Sequence, residues 1–278
     1  LNTVENFKPN LIVIGHADLI SNESLQIVKK LYPRMKISQW FLDRMDTYWI
    51  KNRNRFEKKF AFMDANFCTT SPDIMNFNKK YNINYIPNPV DSALDNLKNF
   101  SKNDHINDVF FAMSHGVHRG VLKKGKFDVR QDFIKKLIKK TPEIKYSLHG
   151  VDKNQPIWAD NYLTLISNSK MGLNLSQGKP IKYYSSDRIS QMMGNGLLTF
   201  VDKKTKINDF FTNKELIFYN NINDLSEKIK YYQKNDRARS VIAKNGYLKY
   251  FKYFNSSQIC QFIIEKSLNI KKSKFYWE

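Results

Sequence analysis

Cysteine is scarce. Only Cys68 and Cys260 occur in 278 residues, and one pair cannot supply the disulfide framework of a secreted scaffold of this length. The two lie far apart and outside any metal-ligand spacing, so isolated thiols in a reducing setting are expected. No run approaches the roughly 20 apolar residues of a membrane-spanning helix, and no signal-peptide core is present. Low-complexity tracts are missing as well. Acidic residues are few: 26 Asp+Glu against 46 Lys+Arg give a net charge of +20. That deficit favours polyanionic partners, namely nucleic acid, an anionic membrane surface or phosphorylated substrates. An AT-rich genome also inflates Lys and Asn without function. An initiator methionine is lacking, the first residue being Leu1, so a fragment or trimmed chain is expected.

What is present suffices for buried cores. Hydrophobic residues make up 41% of the chain, and its length suits one large or two small domains. The first half alternates strand and helix signals. Short apolar or β-rich runs at 11–15, 36–42, 65–69 and 84–86 read as strands. LIVIG at 11–15 suits a strand buried on both faces. Asn22 reads as a helix cap with Leu25, Val28 and Leu31 inward, and 56–62 looks helical. Ser71-Pro72-Asp73 predicts a helix whose buried stripe is Ile74, Phe77 and Tyr81. Pro87 and Pro89 then force extended backbone.

The second half repeats the alternation. Strands are expected at 108–113, 144–148, 171–175, 197–201 and 215–219, and helices at 131–140, 161–169, 224 onward, 237–251 and 256–268. Asp224 reads as the cap of the third of these. Successive β-α-β units imply two parallel sheets covered by helices. The expected fold is therefore α/β with two Rossmann-like domains facing a cleft. The expected boundaries are 1–95 for the first domain, which looks incomplete, and 96–107 for a linker. Residues 108–255 form the second domain, and 256–278 a helix crossing back with a tail.

Ligands of open parallel sheets bind at the carboxyl ends of the strands, so candidate functional residues are sought there. In the first half these are His16 and Asp43, each a possible general base for an acceptor hydroxyl or a plain loop residue. In the second half the loop after the first strand holds Gly116 and Arg119 among several cations; glycine admits a ligand close to the backbone and cations suit phosphate. Residues 120–126 spell G-x-x-x-x-G-K, but Phe127 stands where a P-loop needs a magnesium-binding hydroxyl.

The richest stretch is 183–202, YYSSDRISQMMGNGLLTFVD. It reads as a helix start at Ser185-Ser186-Asp187, a short helix, a Gly-Asn-Gly stop and a buried strand ending in Asp202. Asp187 most simply caps the helix. Arg188 in the first turn opposes the helix dipole, which is easier to explain if an anion arrives. Gln191, three residues on, shares its face and can bond ribose hydroxyls. Lys179 and Lys182 can reach a diphosphate, and Tyr183 can stack on a base. Met192 and Met193 read as core. No metal-ligand cluster, Asp-x-Asp motif or nucleic-acid module is recognisable.

The second half resembles the CgeB-like, spore-maturation type of GT-B glycosyltransferases. That family's pattern is an arginine, a Phe-Glu pair at the second and third positions after it, a glycine turn and a strand ending in Asp. It is matched here by Arg188, Gly194-Asn195-Gly196 and Asp202, with Ser190-Gln191 replacing Phe-Glu. Lys214 to Tyr219, Asp224-Leu225, Lys228-Ile229 and Ile242 to Tyr247 also look like the family, as do Tyr85 to Asp91, and Arg130 resembles the arginine opening the first donor-domain helix. The resemblance covers about residues 10–265. It implies a metal-independent GT-B glycosyltransferase of polysaccharide biosynthesis, moving a sugar from a nucleotide-sugar to a glycan or lipid-linked acceptor. It implies no cofactor; the expected location is cytoplasmic, and the basic surface suggests peripheral contact with an anionic membrane. The donor-contacting set would be Gly116, Arg119, Lys179, Lys182, Tyr183, Arg188 and Gln191. The rival readings are a GT-B-shaped nucleotide-sugar epimerase or hydrolase, and a non-enzymatic polyanion binder.

Overall fold

The computed structural model describes residues 1–16, 18–114 and 128–278. They form two compact units. The first comprises Leu1–Pro87, Lys182–Tyr184 and Ser256–Glu278, and the second Asn88–Ile181 and Ser185–Asn255.

The first unit contains α1 (Asn2–Phe7), β1 (Leu11–Gly15), α2 (Asn22–Leu31), β2 (Lys36–Phe41), α3 (Ile50–Glu57), β3 (Ala65–Cys68) and β4 (Ile83–Tyr85). Its four strands are parallel and run in the order β1-β2-β3-β4. Right-handed crossovers in an order without reversal put every connection on one face of the sheet. Ile14 and Ile37 accordingly pack on Leu25 and Val28 of α2, while Phe41 and Cys68 pack on Phe56 of α3. The opposite face needs a cover from elsewhere in the chain, and the last helix of the sequence supplies it. That helix spans Ser256–Ser267. Phe262 meets Phe67 at 5.9 Å between ring centroids, and Ser38 Oγ donates to Ser267 Oγ across 2.6 Å.

Several local expectations change in this unit. The strand at 11–15 is an edge strand, so Val13 is 44% exposed rather than buried on both faces. The helix expected after Ser71 is a single 3-10 turn, Pro72–Ile74. Asn76 has φ +49°, and asparagine tolerates this left-handed geometry well enough to end the turn. Between β2 and β3 the α-helix stops at Glu57, and Phe60–Phe62 forms another 3-10 turn. Ser21, not Asn22, caps α2 by accepting a bond from Ser24 N.

The second unit contains β5 (Asn107–Ala112), α4 (Val129–Lys140), β6 (Tyr146–His149), α5 (Ala159–Ser167), β7 (Ser169–Asn174), α6 (Arg188–Gly194), β8 (Leu198–Asp202), β9 (Ile217–Tyr219), α7 (Ile222–Lys234) and α8 (Asp236–Tyr253). With the first unit's Ser256–Ser267, now α9, this completes the element order. All five strands are parallel, in the order β6-β5-β7-β8-β9. Helices cover both faces, and β5 shows the period-two alternation this requires. Val109 and Phe111 pack with Ile134 and Leu137 of α4 and Leu225 of α7, whereas Phe110 and Ala112 pack with Ile166 of α5 and Met192 of α6. Asn221 rather than Asp224 caps α7.

Residues 88–107 are held by this second unit. Val90 N donates to Phe254 O at 3.0 Å, and the buried Asn99 amide donates to Ile166 O at 2.6 Å and Ser169 O at 3.1 Å. Their polarity serves hydrogen bonds to strand and helix ends. Among the described residues, no helix is long and apolar enough to cross a membrane.

Candidate functional site

The order of the second sheet reverses between β5 and β7, because β6 lies to one side of β5 and β8 and β9 lie beyond β7. A reversal of this kind opens a crevice at the carboxyl ends of the two central strands. Residues here are set by unusually close backbone approaches. A Cβ on Gly172 of β7 would lie 2.3 Å from Met192 Sδ, so glycine lets α6 press onto the strand. Gly150, directly after β6, has φ +72°, and a Cβ there would fall 1.7 Å from Met113 O. Both features fix where the strand ends and the first turn of α6 lie.

A hydrogen-bonded cluster holds the approach to α6. Asn174, buried at the end of β7, donates from Nδ2 to Ser185 Oγ at 2.8 Å. Asn88 Nδ2 donates to Ser185 O at 3.1 Å, and Ser186 N donates to Ser176 Oγ at 3.0 Å. Asp187 does not cap the helix with its side chain, contrary to expectation. The serines upstream have taken over the task of fixing this turn, and the Asp187 carbonyl accepts from Ser190 Oγ at 2.7 Å.

Arg188 is turned back over the strand ends. Its Nη2 donates to Leu175 O at 2.9 Å, just beyond β7, and its guanidinium carbon lies 5.7 Å from the Phe111 ring centroid on β5. The cation therefore spans the two strands that flank the reversal. Gln191 lies one turn further on and is half-buried; its carbonyl accepts from Asn195 N at 3.1 Å and Asn195 Nδ2 at 2.8 Å. Met192 and Met193 are core residues, as expected. At the end of β6, His149 Nε2 sits 2.9 Å from Ser147 Oγ, and burial pushes its imidazole below the ordinary histidine range.

The remaining candidates do not all gather here. Lys179 is exposed on the loop between β7 and α6. Lys182 and Tyr183 belong to the first unit. There Lys182 Nζ pairs with Asp73 Oδ2 at 2.5 Å, and its carbonyl accepts from Ser71 N at 3.3 Å. Burial works to raise the Asp73 carboxyl, but the bonds from Lys182 and Ser71 outweigh it and the net direction is down. Tyr183 adopts φ +61° and packs 5.1 Å from Tyr85 between ring centroids. Gly116 and Arg119, together with the G-x-x-x-x-G-K stretch, lie outside the described residues.

His16 follows β1 with φ +44°, its ring stacked on Phe41 at 4.5 Å and its Nε2 accepting from Leu42 N at 3.4 Å. Asp43 follows β2 and is exposed. Both therefore stand at the carboxyl edge of neighbouring strands. Asp18 pairs with Arg55 beside them; the Arg55 hydrogen bond holds the Asp18 carboxyl below its usual range. Among the described residues, no group of three or more His, Cys, Asp or Glu side chains could hold a metal.

Reading strand ends alone missed Asn174, Ser176 and Asp73. Ser176 was legible as the residue ending a strand, but its partner Ser186 lies ten positions away, and no pattern in the sequence links them.

The two parallel-sheet Rossmann-like units match the fold of solved GT-B glycosyltransferase structures. Residues 130–265 match the model of a family described as glycosyl transferase-like. No curated protein matches the chain by sequence. Among solved structures, TarM of S. aureus aligns with a TM-score of 0.61 at 15% identity, over 95% of this chain and 57% of TarM. Anabaena HepE in complex with UDP and glucose aligns at 0.64 and 12% identity, over 95% of this chain and 79% of HepE. A glycosyltransferase from Rickettsia africae aligns at 0.57 and 11% identity, over 98% of this chain and 80% of that one. The chain thus spans little more than half of TarM and about four-fifths of the other two.

Proposed function

We propose that this chain handles a nucleotide-sugar donor and transfers its sugar to a glycan or lipid-linked acceptor, as a CgeB-like GT-B glycosyltransferase of cell-surface polysaccharide synthesis. The observation that carries the reading is Arg188, whose guanidinium spans the ends of β5 and β7 within the segment matching the glycosyl transferase-like family. The complexes of HepE with UDP and with UDP-glucose support the donor class.

In this reading Arg188 neutralises the charge that develops on the leaving diphosphate. Preorganised cations act most strongly where charge appears in the transition state. The Gln191 amide bonds ribose hydroxyls, and Gly116, Arg119 and Lys179 complete the donor contacts. Lys182 and Tyr183 are the further donor-binding candidates of this reading. His16 or Asp43 takes the proton of the acceptor hydroxyl. The reaction needs no bound metal and no cofactor. The net charge of +20 keeps the enzyme at the anionic inner face of the membrane, near a lipid-linked acceptor.

The test is calorimetric titration of UDP, GDP, ADP and dTDP into the wild-type protein and Arg188→Ala. One nucleotide should bind the wild type, and the variant should bind it roughly 10-fold to 100-fold more weakly, the range for hydrogen bonds to charged groups. Equal binding removes Arg188 from the site. Sugar release or isomerisation without any acceptor would favour the epimerase or hydrolase reading.

A further inference from the structure

A second group at the same edge is prepared for an anion. Tyr162 lies on α5, and its ring meets Phe110 of β5 edge-on, with centroids 5.3 Å apart and planes at 90°. The ring packs against the buried cluster of Phe110, Ala112, Ile166, Met192 and Leu197. Its position is therefore fixed by apolar contacts on β5, α5 and α6. The hydroxyl at its tip is buried and has no hydrogen-bond partner among the described residues.

Several polar groups of this unit are bonded. Asp95, buried nearby, accepts from Asn195 Nδ2 at 2.8 Å through one oxygen and from Asp91 N at 3.1 Å through the other. Asn174, Ser185 and Ser190 are likewise bonded. A buried hydroxyl lacking a partner destabilises the folded state, and native proteins rarely keep one unless something else completes it. The ionisable groups acting on the phenol are Arg188 and Asp187, at the start of α6, and Asp95. Burial is the larger influence and pushes the phenol well above its ordinary range, so it stays a hydrogen-bond donor. Both Asp95 oxygens already accept bonds, and Asp187 is exposed. A donor that feels the charge of Arg188 suits an anionic oxygen, because charge-assisted bonds are the stronger kind.

We infer that the Tyr162 hydroxyl is a contact of the bound nucleotide, donating a hydrogen bond to a diphosphate oxygen that Arg188 also neutralises. The inference rests on the donor reading above. Arg188 is bonded to Leu175 O; a bound diphosphate draws the guanidinium toward itself and gives the phenol its acceptor. Tyr162 is thus a binding residue whose partner arrives with the ligand, which accounts for its unsatisfied state without one.

The test compares wild type with Tyr162→Phe by calorimetry, using the nucleoside diphosphate that the wild type binds from the panel UDP, GDP, ADP and dTDP, together with thermal denaturation of both unliganded proteins. Tyr162→Phe should melt at the same temperature or higher, since it deletes only an unpartnered hydroxyl, and should bind the nucleotide about tenfold more weakly or worse. Unchanged affinity overturns the inference and leaves the donor reading standing. A lower melting temperature overturns it too, because the hydroxyl then has a partner inside the unliganded protein. A wild type that binds none of the four nucleotides overturns both the donor reading and the inference.

Discussion

The Arg188 guanidinium donates to the carbonyl of Leu175 across 2.9 Å, so a cation from the first turn of α6 closes over the end of β7. Arg188→Lys keeps the charge but loses the planar fork that matches phosphate oxygens. Lysine should therefore rescue only part of the nucleotide affinity lost in Arg188→Ala. Calorimetry on the three proteins would rank them wild type, lysine, alanine; a lysine variant equal to wild type would show that charge alone matters.

Asn174 fixes the turn that delivers Arg188. Its amide is buried, and alanine would leave Ser185 Oγ without its 2.8 Å donor. Asn174→Ala should lower stability by about 1–3 kcal/mol, the cost of orphaning a buried polar group. Urea unfolding would measure it, with nucleotide affinity falling as the turn loosens.

Gly150→Ala tests the close approach at the ends of β5 and β6. The position has φ +72°, and the added Cβ would sit 1.7 Å from Met113 O. Strain of this backbone type costs on the order of 1–3 kcal/mol before the clash is counted. A clear drop in melting temperature is expected, and an unchanged one would mean that the loop after β6 repacks freely.

The C-terminal tail carries a pH signature. Glu265 of α9 accepts from Ser273 Oγ at 2.7 Å and from the backbone N–H groups of Ser273 and Lys272, at 3.0 and 3.2 Å. The Ser273 hydroxyl bond is the main reason its carboxyl is lowered to about 2. A depressed folded-state pKa contributes stability that is full above the unfolded value near 4.3 and is lost as pH falls through the folded one. The stability difference between wild type and Glu265→Gln should be constant from pH 7 to about pH 5 and shrink as pH falls toward 2. Urea midpoints at pH 7, 5, 4 and 3 would follow it; a difference that grows on acidification contradicts the assignment.

The boundary between what was legible and what was not follows range. Arg188 was readable because a cation in the first turn of a helix is a local oddity, and Met192 and Met193 because large apolar residues inside a short helix read as core. The helix expected after Ser71 failed on equally local grounds: the proline stands at the start of the turn, but Ser71 makes no side-chain cap bond and Asn76 at φ +49° ended the turn. Asp187 failed for a different reason. The turn before the helix is held instead by Ser176 and Asn174, which reach it only because β7 and α6 are folded together.

The sequence by itself determined the alternation of strand and helix, the parallel character of both sheets, and the helix that opens with Arg188. These rest on periodicity and backbone preference, which act over a few residues. Tertiary structure decided that Val13 sits on an exposed edge, that Lys182 answers to Asp73, that α9 covers the bare face of the first sheet, and that the Tyr162 hydroxyl has no partner among the described residues. Each depends on which distant segments meet, and a residue's neighbours in space are set by packing, not by its neighbours in the chain.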